Sequence, residues 1–91
     1  MKILVINGPN LNLLGKRESS IYGNESLDDI ISTLESICAN KNANLLTFQS
    51  NAEHEMVEKI HSCQNKEVDW MIINPGAFTH TSIAIRDALI A

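Results

Sequence analysis

Ile3-Leu4-Val5-Ile6 is an unbroken β-branched and aliphatic run, with no polar residue to mark a solvent face. Such a strand must be covered on both sides, which a parallel sheet between helical layers provides. Two more runs follow at wide spacing, Leu45-Leu46-Thr47-Phe48-Gln49 and Val68-Asp69-Trp70-Met71-Ile72-Ile73, and the segments between the runs carry a helical period. Leu27, Ile30, Ile31, Leu34, Ile37 and Cys38 form one stripe, predicting a helix capped by Ser26 and reaching about Ala39, with Asp28 and Asp29 complementing its dipole. Ser50-Asn51-Ala52-Glu53 has a capping-box pattern and opens a second helix with Met56, Val57 and Ile60 on its apolar face. Asn74-Pro75-Gly76 stops the third strand, and Thr79 to Ser82 offer several caps for a third helix carrying Ile83, Ile85, Leu89 and Ile90. The order β-loop-α-β-α-β-loop-α predicts a single α/β domain over residues 1–91, with right-handed crossovers and a parallel sheet.

Composition narrows what such a domain can do. Seven basic against eleven acidic residues give a net charge of −4, which argues against nucleic acid, whose recognition rests on a basic footprint. No apolar run approaches the roughly 20 residues of a membrane helix, and Ile3 to Ile6 is too short for the core of a signal peptide, so the expectation is a cytoplasmic protein with no membrane partner. Cys38 and Cys63 are 25 positions apart with no CxxC, the pattern of two reduced, half-buried thiols. His54, Glu58 and His61 fall at i, i+4 and i+7, but this is not HExxH and no third protein ligand stands near. They read as a solvated helix face, which leaves acid-base chemistry without a metal as the expectation.

The chemistry is concentrated in the two loops that follow the first and third strands. The first, Asn7 to Gly23, is long for a compact domain and gathers amides, a guanidinium and a phenol. It is not a P-loop: six residues separate Gly8 from Gly15-Lys16 where GxxxxGK[ST] has four, and Arg17 stands where a hydroxyl is required. No strand is followed by GxGxxG either. What remains is Arg17 and Tyr22 beside Asn10 and Asn12. A guanidinium lowers a neighbouring phenol from its usual pKa of about 10, which would make Tyr22 a general base for a proton next to a carbonyl. The alternative is a solvated arginine and a tyrosine packed at a turn. In the second loop Asn74 and His80, with Thr79, Thr81 and Ser82, suit the hydroxyls of a polyol, although a structural histidine would look the same. Asp87, seven residues on, falls near the same helix face or is a plain surface carboxylate. Both loops leave strand carboxyl ends, so they are expected to converge on one cleft.

Three stretches together resemble the type II 3-dehydroquinate dehydratases: Ile6-Asn7-Gly8-Pro9-Asn10-Leu11-Asn12-Leu13-Leu14-Gly15 with Arg17-Glu18 and Tyr22-Gly23, then Gln49-Ser50-Asn51-Ala52-Glu53, then Asn74-Pro75-Gly76-Ala77-Phe78-Thr79-His80-Thr81-Ser82. The resemblance runs the length of the chain. It implies a flavodoxin-like three-layer α/β/α fold, here with only its first three strands and three helices. It also implies metal-free, cofactor-free loss of water from 3-dehydroquinate to give 3-dehydroshikimate, in the shikimate pathway. In those terms Tyr22 takes the proton at C2, and Arg17 lowers its pKa and steadies the developing charge. Asn10 acts on the enolate oxygen through a water, Asn74 and His80 hold substrate hydroxyls, and Asp87 binds from or across a subunit contact. Family members assemble as trimers within dodecamers, which makes a homo-oligomer the expectation.

Two departures accompany the resemblance. At His54 the family commonly has glycine, and the family's later Glu-Val-His-x-Ser-Asn strand and arginine-bearing segment are not among these residues. The histidine that protonates the departing hydroxyl belongs to that strand, so the 91 residues alone are expected to be a weak catalyst, slower by about 10²- to 10⁴-fold. Without the later strands the third strand becomes an open, apolar sheet edge that invites association. The competing expectation is an inactive α/β module that binds a polyol carboxylate or pairs through that edge.

Overall fold

A computed structural model describes residues 1–16, 23–65 and 68–90. Its elements run in the order β1 (Lys2–Asn7), α1 (Leu27–Asn40), β2 (Asn44–Gln49), α2 (Glu53–Ser62), β3 (Trp70–Asn74), α3 (Phe78–Thr81) and α4 (Ile83–Ile90). The sheet is parallel in the order β2-β1-β3, with Leu4 paired to Leu46 on one side and Met71 on the other. The most apolar strand is therefore the central one, and Leu4, Val5 and Ile6 are all buried. The α/β class and the parallel sheet agree with the reading of the sequence.

Alternation along β1 divides the core. Leu4 and Ile6 pack with Met56 and Ile60 of α2 and with Ile85 and Ala88 of α4, and Phe48, Met71 and Ile73 close the margin of the same cluster. The opposite face carries Val5 and is covered by α1, which lies over β2. By register Ile3 and Val5 are flanked on that face by Trp70 and Ile72 of β3, which remain 64% and 57% exposed. Cover on this side thus fails toward β3, one of the two edge strands among the described residues. Along α1 the predicted apolar stripe buries Leu27 but leaves Ile37 at 48% exposure.

Capping explains where the helices start. Ser26 accepts the Asp29 N–H at 3.1 Å while the Asp29 carboxylate accepts the Ser26 N–H at 3.0 Å, a reciprocal box that fixes the start of α1. The box predicted at Ser50 to Glu53 does not form, and Ala52 is the N-cap of α2. The Ser50 N–H still donates to Asn7 at 3.1 Å as a continuation of the sheet, so its side chain is two residues too early to cap. Its hydroxyl instead accepts the Ala52 N–H at 2.9 Å and meets the Glu55 carboxylate. The third expected helix is α4, capped from within the expected stretch; the short α3 before it was not foreseen, and Ser82, in extended backbone (ψ 100°), separates the two. Its hydroxyl then accepts the Ile85 N–H at 3.0 Å, capping α4 where Ile85 and Ala88 face the core. β3 begins two residues later than predicted, since Asp69 is spent on a clasp with Lys2: each donates its N–H, to the Asp69 carboxylate at 2.7 Å and to the Lys2 carbonyl at 2.8 Å.

Candidate functional site

The carboxyl ends of the three strands are tied together at one point. Gly8, the first residue past β1, donates its N–H to the Asn74 carbonyl at the end of β3 at 2.7 Å, and the Ser50 N–H past β2 reaches the Asn7 carbonyl. Gly8 is buried, and a Cβ there would stand 2.6 Å from the Pro75 carbonyl carbon. On the other side of the same contact Gly76 has φ +59°, and its Cβ would lie 3.1 Å from the Pro9 carbonyl oxygen. The two loops therefore run backbone against backbone over Gly8-Pro9 and Pro75-Gly76. The convergence expected from topology is made by glycine at both faces of the contact.

Beyond Pro9 the first loop enters a left-handed turn at Asn10 (φ 68°, ψ −5°), a conformation asparagine tolerates better than most residues. A 3-10 turn over Leu11–Leu13 follows, closed by the Leu13 N–H on the Asn10 carbonyl at 3.0 Å. Two side chains from the end of β2 hold this segment. Gln49 Nε2 donates to the Gly8 carbonyl at 3.1 Å and to Asn51 Oδ1 at 3.2 Å, with Asn12 Oδ1 at 3.5 Å. Asn51 Oδ1 also accepts the Asn10 N–H at 3.0 Å. Under the loop a cavity of about 290 Å³ opens between Asn12, Lys16, Gln49 and the Asp28 end of α1.

The second loop is built from its own backbone. The Asn74 side-chain oxygen accepts the Gly76 N–H at 3.2 Å, and the Phe78 and Thr79 N–H groups return to the Pro75 and Gly76 carbonyls, leading directly into α3. A second cavity, of about 170 Å³, lies beside Pro75, Thr79, Ser82 and Arg86. Together the loops offer amide oxygens, amide nitrogens and hydroxyls at one sheet edge, a donor and acceptor set matched to a small, hydroxylated ligand.

The predicted site residues fare unequally. Asn10 and Asn74 come to the same end of the sheet, where Gly8, two residues before Asn10, donates its N–H to the Asn74 carbonyl. Arg17 and Tyr22 lie outside the described residues. His80 is placed on α3 by its backbone, and its side chain is outside the description. Asp87 does not share a helix with His80, because the chain breaks at Ser82; it is exposed on α4 and stands 4.0 Å from Arg86. Both groups of that pair are more than half exposed, so it contributes little. Among the described residues no group of three His, Cys, Asp or Glu is placed to hold a metal ion, and His54, Glu58 and His61 are all exposed. Cys38 and Cys63 are free and half-buried, and no described helix is long and apolar enough to cross a membrane. Gln49 and Asn51 were not singled out as site residues from sequence; the signal available was a pair of amides on either side of Ser50, the first residue past β2, within one of the three stretches that carry the resemblance.

Fold and loops define an α/β protein whose candidate binding edge lies past the carboxyl ends of a parallel sheet. The chain belongs to the dehydroquinase class II family, whose sequence profile matches residues 1–91. It is 56% identical over 91 residues to the 3-dehydroquinate dehydratase of Buchnera aphidicola subsp. Cinara cedri, covering 100% of this chain and 60% of that protein. Among solved structures it is similar to the type II dehydroquinase of Butyrivibrio crossotus, with a TM-score of 0.92 and 50% identity over 97% of this chain and 61% of the other. It is also similar to a 3-dehydroquinate dehydratase-like protein of Bifidobacterium longum, with a TM-score of 0.72 and 27% identity over 99% of this chain and 63% of the other. The chain spans about 60% of the length of the curated relatives it matches.

Proposed function

We propose that this chain carries the base-bearing half of a 3-dehydroquinate dehydratase, a lyase that eliminates water from 3-dehydroquinate to give 3-dehydroshikimate in the shikimate pathway toward chorismate and the aromatic amino acids. The observation that carries this reading is the joined pair of loops past β1 and β3, in a member of the dehydroquinase class II family. Tyr22, with its pKa lowered by Arg17, removes the proton at C2, and the electron pair moves onto the neighbouring carbonyl oxygen as an enolate. Asn10, at the loop root, stabilises that oxygen through a water. As the carbonyl re-forms, the β-hydroxyl leaves and takes up a proton to become water. Asn74 and His80 hold the substrate hydroxyls, and Asp87 binds substrate from a subunit contact. The reaction proceeds without metal or cofactor, in the cytoplasm, in a homo-oligomer of trimers gathered into a dodecamer.

The inactive-module reading has one observation in its favour, the open β3 edge with Trp70 and Ile72 exposed beside it. Titration of the chain with 3-dehydroquinate, followed through its backbone amides by NMR, separates the two. The dehydratase reading expects saturable shifts at Gly8, Asn10 and Gly76, and loss of those shifts with Asn74→Leu. Shifts confined to Trp70–Ile73, or none at all in a folded chain, would contradict it.

A further inference from the structure

Every described polar contact that holds Asn10 from outside its own loop comes from the end of β2. We propose that Gln49 and Asn51 are positioning residues: a two-amide brace that sets the left-handed turn at Asn10 and so orients the first loop. Its role toward substrate rests on the function proposed above.

The brace has a defined polarity. Among the described residues Asn51 is used through its oxygen, which accepts the Asn10 N–H at 3.0 Å and Gln49 Nε2 at 3.2 Å. Among the described residues Gln49 is used through its nitrogen, which carries two hydrogens and faces three acceptors, on Gly8, Asn51 and Asn12. The residue between them is fixed: Ser50 is buried, hydrogen-bonded to Asn7 through its N–H and to Ala52 through its hydroxyl. Gln49 and Asn51 are thus two arms on an anchored point, and they reach the loop at Gly8, Asn10 and Asn12. A non-glycine residue at positive φ persists only where its surroundings over-determine it, and the Asn51 to Asn10 bond is the tertiary contact at that residue.

From this polarity one chemical change, amide to carboxylate, has opposite results at the two positions. Asn51→Asp keeps an acceptor facing both donors. Gln49→Glu replaces the donor with an acceptor that confronts three others. Neither alters side-chain size, so both variants are expected to fold. Each variant of the chain is examined for hydrogen exchange at the Asn10 amide and for its affinity for 3-dehydroquinate, with the Leu4 to Ile6 amides as the reference for the fold. Gln49→Glu and Asn51→Ala are expected to speed Asn10 exchange by roughly fivefold to tenfold, the loss of one ordinary hydrogen bond, and to weaken substrate binding in the same order. Exchange at Leu4 to Ile6 stays as in the parent, and Asn51→Asp retains both parental values. Unchanged Asn10 exchange in Gln49→Glu and Asn51→Ala, or Asn51→Asp behaving like Asn51→Ala, would overturn the brace. If Asn10 exchange follows the expected order while the parent chain gives no substrate-dependent shift, the brace stands and the proposed function falls.

Discussion

Gly8 and Gly76 face each other's loops, yet their substitution should not cost the same. At Gly8 an added methyl meets the Pro75 carbonyl carbon at 2.6 Å, a backbone group that can yield only by separating the loops. At Gly76 the nearest atom is 3.1 Å away, and the main penalty is the left-handed backbone at φ +59°, about 1–2 kcal/mol. Gly8→Ala is therefore expected to destabilise the chain by about 2–3 kcal/mol, as overpacking does, and Gly76→Ala by less. Urea denaturation of the two variants checks the ranking, which equal midpoints would refute. At this scale the sequence was partly legible. Its motifs pointed to Asn10 and Asn74, which the fold brings to one edge, but residue types alone could not show that Gln49 and Asn51 reach back across the loop. Those contacts join residues 41 positions apart, and no local pattern encodes them.

The elements were read well wherever one local signal dominated. An unbroken aliphatic run became the central strand, and Ser26 with Asp29 became a cap in which each side chain accepts the other's N–H. Reading was incomplete where tertiary demands chose among equivalent local options. Thr79, Thr81 and Ser82 could each have capped a helix; packing of Ile85 and Ala88 on the core selected Ser82 and broke the helix in two. Ser50 had capping chemistry, but the sheet had already claimed its backbone. β3 is the element with the most consequence for behaviour in solution. It is an edge strand whose Trp70 and Ile72 are mostly exposed, the combination that templates pairing between chains. The chain is expected to associate as its concentration rises, and Ile72→Lys to suppress this with a stability change within about 0.5 kcal/mol, as for other surface substitutions. Sedimentation velocity over a concentration series tests this; association undiminished in Ile72→Lys would place the contact elsewhere.

For the molecule as a whole, topology did most of the positioning. Putting β1 between β2 and β3 brings three strand ends together, so loops distant in sequence share one edge, and that much followed from element order. The fit of those loops did not follow from it, because it depends on two glycines and a pair of amides whose partners only the fold supplies. The central proposal is that Tyr22 draws a proton from C2 of 3-dehydroquinate. The most direct test is the absorbance of the conjugated enone product when the purified chain is given 3-dehydroquinate, compared with Tyr22→Phe under the same conditions. The expected result is slow enone formation that disappears in the variant while circular dichroism stays unchanged. Enone formation equally fast in Tyr22→Phe, or none from the folded parent chain, would contradict the claim.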